Sequence, residues 1–235
     1  MNREDVFDMN SGYYATATGD IPAKGVGFLT LYDSAALRQG VEDLIGKGAV
    51  KIYASGPISE GEQDGIAIRH AYDIMRLSRS LRELPPCGDR LHLRPLTRPD
   101  GATFLSIYNE SVIHVLNRPS QTIADLSWLI SEDWRSGLAY LGETPVGVYE
   151  CKRVGGVPEV SALAVLERWR GNNLGRELLR RVLALLAEEG LDRCTARIPT
   201  NSDAFPLLRS EGFKAEALLS SWYEVQMLPS ASVSF

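Results

Sequence analysis

Cysteine and histidine are scarce in this chain, three of each among 235 residues. Cys87, Cys151 and Cys194 stand far apart, in neither a paired framework nor a zinc-ligand spacing. That excludes a disulfide-stapled fold and a Cys/His metal centre, and it suits a reducing, cytoplasmic setting. No apolar run approaches the roughly 18 residues that a bilayer span needs. Positive charge is also short: the formal net charge is -5, which argues against general nucleic-acid or membrane-surface binding. The opening MNREDVFDMN has neither the basic start nor the apolar core of a secretory signal. What remains is a globular chain long enough for one large domain or two modest ones.

Punctuation within the chain is plainer than its composition. RELPPCGDR (Arg82 to Arg90) carries paired prolines and a glycine, and proline cannot donate a ladder hydrogen bond, so the segment reads as a linker. It divides an N-terminal part, residues 1–86, from a larger one, residues 89–229. In the larger part a strand runs into a helix near Asp100. A meander of three strands follows through SGLAYLGETPVGVYECKRVGGVPEVSALAVL, its turns at GETPVG and GGVP. GRELLRRVLALLAEEG is a helix closed by Gly190. RCTARI is a strand, SDAFPLLRSEG a short helix, and KAEALLSSWYEVQML supplies one or two final strands. The N-terminal part repeats some of this order. LRQGVEDLIGKGAVKIYASGP parallels LALLAEEGLDRCTARIP, each with a helix, a glycine, a β-rich run and a proline nine residues after the glycine. DGIAIRHAYDIMRLSRSL then reads as a helix and a strand. The first part is therefore a shortened copy of the second.

RWRGNNLGREL (Arg168 to Leu178) sets small and positive residues at the start of a helix. The first N–H groups of a helix have no partner within it, and the helix dipole favours an anion beside them. Small residues let a diphosphate approach the backbone, while Arg168, Arg170 and Arg176 add positive charge. No Lys-Ser or Lys-Thr follows Gly175, so a nucleoside-triphosphate loop does not fit. An antiparallel meander before the turn does not fit a dinucleotide fold either.

EVSALAVLERWRGNNLGRELL followed by NSDAFPLLRSEGF resembles the GNAT superfamily of acyl-CoA-dependent N-acetyltransferases, well over residues 90–228 and weakly over 20–85. The resemblance implies an α/β (α+β) GNAT fold: a mixed sheet with splayed central strands flanked by helices, preceded by a smaller, truncated GNAT-like domain that is non-catalytic. It implies acetyl-CoA as the acyl donor and a primary amine of a small molecule or protein as acceptor, with no metal, nucleic acid or membrane partner. A homodimer is left open. By position, Leu163, Ala164 and Val165 would pair with the pantetheine arm. Arg170, Gly171, Asn172, Asn173, Leu174, Gly175 and Arg176 would hold the pyrophosphate, and Asn201 would contact the CoA arm. Glu159, twelve residues before Gly171, stands where the family often has its general base.

Two positions depart from the family pattern. Asn173 replaces a usual glycine, although asparagine tolerates left-handed backbone geometry. Leu208 occupies the position of the usual tyrosine acid and cannot donate a proton. The alternative reading is a catalytically silent module that binds CoA. Cys151, with no histidine nearby in sequence, reads as a small buried residue rather than a nucleophile. His92 and His114 read as surface or wall residues. The stretch from Ile113 to Trp134, with Trp128 and Trp134, reads as part of an acceptor pocket.

Overall fold

The computed structural model describes residues 7–8, 15–113, 115 and 120–229, and His114 lies outside them. In chain order the elements are β1 (Phe7–Asp8), β2 (Ala15–Asp20), α1 (Ile21–Lys24), β3 (Val26–Leu31), α2 (Leu37–Gly46), β4 (Lys51–Ser55), β5 (Gly61–Gln63) and β6 (Ile66–Ser80). There follow β7 (Leu91–Pro95), α3 (Gly101–Val112), α4 (Leu126–Leu129), β8 (Trp134–Leu141), β9 (Thr144–Val154), β10 (Val157–Val165), α5 (Leu174–Glu188), β11 (Arg193–Pro199), α6 (Ala204–Ser210) and β12 (Lys214–Met227). Two compact units result, one of residues 1–74 with 218–235 and one of residues 75–217. Their limits fall inside β6 and β12. The proline segment therefore lies within the second unit rather than at a boundary between residues 86 and 89. It runs without regular structure from β6 to β7 and is tied to α5, since the Arg180 guanidinium donates to the Pro86 carbonyl at 3.2 Å.

The second unit is built on the expected meander. β8 and β9 are antiparallel, as are β9 and β10, and Gly155 and Gly156 both take positive φ in the two-residue turn between β9 and β10, which glycine does without steric cost. The sheet then passes from antiparallel to parallel, because α5 crosses over and β11 runs alongside β10. Each face carries a core. On one, Leu178, Leu179, Val182, Leu183 and Leu186 of α5 pack with Val160 and Cys194. On the other, Phe104, Tyr108 and Val112 of α3 pack with Val148, Ala162 and Ala164.

β6 corrects one expectation. Residues 66–80 form a single 15-residue strand, not a helix and a strand. Ile66, Ile68, Tyr72 and Leu77 are its most buried apolar residues, and the near-alternate spacing at its start belongs to a strand. β-branched Ile66 and Ile68 suit that geometry better than a helix.

In the first unit, β3 and β4 are parallel and joined through α2, with β2 antiparallel to β3. β9, β10, α5 and β11 have the same order and the same pairing senses. The two arrangements differ in how far the parallel register extends. β3 and β4 stay in register over Val26↔Lys51 to Thr30↔Ser55, whereas the register of β10 with β11 holds only at Glu159↔Thr195 and Val160↔Ala196. Among the described residues no helix is long and apolar enough to cross a membrane.

Candidate active site

The early end of the β10–β11 register sets up the site. Past Val160 the strands part, and a cavity of about 580 Å³ opens between them, walled by Val160 to Val165 on one side and Ala196 to Pro199 on the other. A bulge in β10 between Val160 and Ala162 shifts its register against β9. The bulge changes which residues face each helix: Val160 belongs to the α5 core and Ala162 to the α3 core. Backbone groups of residues 161–165 on the β11 side are thereby left to the cavity. Leu163, Ala164 and Val165 all line it.

At one end of this cavity the chain turns into α5. Gly171 has φ of +82°, and Asn173 takes the left-handed conformation at φ 61° and ψ 11°, so asparagine does supply the geometry that glycine would. Arg170, Gly171, Asn173, Leu174 and Gly175 line the cavity; Asn172 and Arg176 do not. Among the described residues the amides of Gly171 to Arg176 find no protein acceptor, while Glu177 N–H, the next in line, donates to the Asn173 carbonyl at 3.1 Å. A row of unpaired donors at a helix start is an anion site.

The arginines are less available than their number suggests. Arg170 points inward, donating from Nε to the Val165 carbonyl at 3.0 Å and from a terminal nitrogen to the Ser111 carbonyl at 3.1 Å. Its acceptors are neutral, so its charge is not cancelled. Arg168 meets Glu110 at 3.4 Å. Arg176 is paired with the buried carboxylate of Glu211 at 3.0 Å, which also takes two hydrogen bonds from Arg180 at 2.7 and 3.0 Å.

Glu159 is buried and sits where the cavity wall begins, one residue before Val160. Lys152 Nζ lies 3.1 Å from its carboxylate and Arg197 Nε 3.9 Å. Arg197 itself lines the cavity, a position that the sequence pattern did not single out. Asn201 lines it too, at the start of the segment leading into α6. Leu208 is buried, packs in the α5 core and forms part of the wall, so the position of the missing tyrosine is apolar. Cys151 and Cys194 are buried as well. Burial pushes both thiols up, Cys194 to about 12 against the smaller opposing pull of Arg79 and Arg193, so neither is a thiolate near neutral pH. His92 stacks on Tyr140 with ring centroids 5.3 Å apart and is not part of the wall. Trp128 and Trp134 do come together, 4.3 Å between ring centroids, against the α3 core.

The model of the acetyltransferase (GNAT) family matches residues 102–213, a span that holds the cavity, the turn and Glu159. Comparison with curated proteins gives no match. Among solved structures, a GCN5-related N-acetyltransferase from Sphaerobacter thermophilus superposes with TM-score 0.61 at 17% identity, over 93% of this chain and 78% of that one. A functionally unknown conserved protein from Staphylococcus epidermidis gives 0.59 at 12%, over 96% and 95%. A GCN5-related N-acetyltransferase from Kribbella flavida gives 0.51 at 14%, over 94% and 89%. At such identities the likeness is one of fold, a mixed sheet flanked by helices along nearly the whole chain. The motif order, the parted strands and the family match agree: residues 102–213 of this chain are similar to the acetyltransferase domain of the GNAT family.

Proposed function

We propose that the protein is an acetyl-CoA-dependent N-acyltransferase acting on a primary amine. The observation that carries this reading is the set of unpartnered amides from Gly171 to Arg176 opening on a cavity between parted strands. That arrangement fits the donor. The amides would hold its pyrophosphate, and the free edge of Leu163, Ala164 and Val165 would pair with the amide-bearing arm. Asn201 stands on the opposite wall. When bound, acetyl-CoA supplies a thioester carbonyl and a thiolate leaving group.

The chain's own work concerns the proton. A lysine-like amine with pKa near 10.4 is unprotonated at pH 7 in about one molecule in two thousand, a deficit of roughly 4–5 kcal/mol. Glu159 is a buried carboxylate next to the cavity residue Val160, and it accepts that proton directly or through water. Lys152 and Arg197 orient the carboxylate by charge-assisted contacts. The proton that the amine loses becomes the carboxyl hydrogen of Glu159 between Lys152 and Arg197, and the amine is left neutral with its lone pair free to attack.

Release of CoA on mixing acetyl-CoA with a panel of primary amines tests the reading, with the product followed by mass. Glu159→Gln should lower kcat/KM by about 10²-fold or more while leaving CoA binding intact. Turnover at the parent rate would remove Glu159 from the reaction. Leu208 favours a second reading, a module that binds CoA without transferring its acyl group. Micromolar CoA binding with no amine accelerating thioester loss would select it.

A further inference from the structure

The segment that leads from β6 into β7 is more than a connection. It lies along the first two turns of α5 and is fastened there by hydrogen bonds. Arg180 donates from a terminal nitrogen to the Pro86 carbonyl at 3.2 Å, and the Cys87 thiol donates to the Arg180 carbonyl at 3.4 Å. Glu177 is 5% exposed, and the segment folds around its carboxylate. Leu91 N–H donates to Oε1 at 2.8 Å and Arg90 Nε to Oε2 at 2.9 Å. A Cβ on Gly88 would stand 2.5 Å from Glu177 Cδ, so glycine lets the chain pass this close. Arg90 is thus anchored on a buried carboxylate, and a terminal nitrogen of its guanidinium donates to the Asn172 carbonyl at 3.1 Å.

That last contact falls on the turn that carries the free amides. In a planar trans peptide the carbonyl and the following N–H point opposite ways. With the Asn172 carbonyl drawn outward to Arg90, the Asn173 N–H is turned inward; Asn173 lines the cavity and Asn172 does not. This peptide also has a reason to turn over. Asn173 sits at φ 61°, a region that costs every residue except glycine. Rotating the 172–173 peptide by half a turn would bring that φ to about −120°, where asparagine is at ease, and would send the N–H away from the cavity. Among the described residues no group other than Arg90 donates to the Asn172 carbonyl.

We infer that Arg90 is a positioning residue for the cofactor: anchored on Glu177, it holds the Asn172 carbonyl outward and so keeps the left-handed Asn173 amide aimed at the diphosphate; this rests on the reading of the turn as the CoA diphosphate site. The role is tied to asparagine at 173, because glycine there would hold the same φ at no cost and would not need the clasp.

The test is a double-variant cycle on the full chain, with CoA affinity measured by calorimetry and Tm read alongside. Arg90→Ala should weaken CoA by at least about tenfold in the parent, but by less than about threefold when Asn173→Gly is the reference. Glu177 loses its cation in both backgrounds, so Tm should fall by a similar amount in each, and a general loosening of the fold would weaken CoA equally in both. Should Arg90→Ala show no cooperative transition, Arg90→Lys takes its place in the cycle, since it keeps a cation beside Glu177 but lacks the planar fork that also reaches Asn172. A crystal structure of the ligand-free Arg90 variant reads the peptide directly, and φ of Asn173 should become negative. Equal losses of CoA affinity in the two backgrounds, or a left-handed Asn173 in the variant structure, overturn the inference. A turned peptide in the variant of a protein whose parent form binds no CoA would uphold the clasp and sink the diphosphate reading.

Discussion

Gly175 separates a residue kept for folding from one kept for a ligand. It does not need a positive φ, and a Cβ built there meets nothing nearer than Leu207 Cδ2 at 3.9 Å. The fold would therefore accept alanine, and in a first helical turn alanine is better than glycine by up to about 1 kcal/mol. Yet the position lines the cavity, where a methyl group would stand between the ligand and the free amides. Gly175→Ala should keep or raise Tm and weaken CoA by about tenfold, measured by calorimetry; unchanged affinity would mean that the diphosphate does not approach this backbone. Gly171 is the contrasting case, fixed by its φ of +82°. The turn was legible in the sequence because its requirement is backbone conformation, which glycine and asparagine advertise. Asn173 in the left-handed region follows from the same logic. Arg197 was not legible. Its place on the cavity wall depends on where β10 and β11 part, which leaves no mark on residue type.

At the level of elements, local signals read well where one face of an element decides its fate. The α5 leucines, the glycine turns of the meander and the α2–β4 unit all sit where periodicity and punctuation set them. β6 was misread. Its opening was read as helix, yet Ile66 to Ile68 pair with β5, and the strand lies between β11 and β12, both far away in sequence. The same strand undoes the division expected at the prolines. Leu77 and Leu81 are 0% and 4% exposed and belong to the α5 core of the second unit, although both precede residue 86. A fragment of residues 87–235 would lack both, and truncating even one buried leucine to alanine costs about 2–5 kcal/mol. That fragment should therefore show no cooperative unfolding transition by circular dichroism and no CoA-dependent stabilisation. A folded, CoA-binding fragment would show that the first 86 residues are dispensable to the core.

For the whole molecule, the buried weak acids govern how stability responds to alkali. Burial raises Cys151 and Tyr149 above their ordinary values, and raises Cys194 to about 12. Each group has a folded pKa above its unfolded one, so the folded state holds a proton that the unfolded state releases. The stability tied to these protons is fully present below the unfolded value, near 9 for the thiols, and is lost as pH rises towards the folded value. Where one group is ionised only in the unfolded chain, the free energy of unfolding falls by about 1.4 kcal/mol per pH unit, and the two thiols together give about twice that slope. Urea midpoints should therefore be level from pH 7 to about pH 8.5 and decline steadily above pH 9, with the tyrosine steepening the fall beyond pH 10. Cys194→Ala will lower stability at neutral pH by leaving a cavity, but it should also flatten the alkaline decline by one thiol's share. Only the second effect reports the proton, so the slope above pH 9 is the quantity to compare. An unchanged slope in that variant would mean that the Cys194 thiol ionises as readily in the folded protein as in the unfolded chain, and that its packing among the α5 leucines does not exclude the charge.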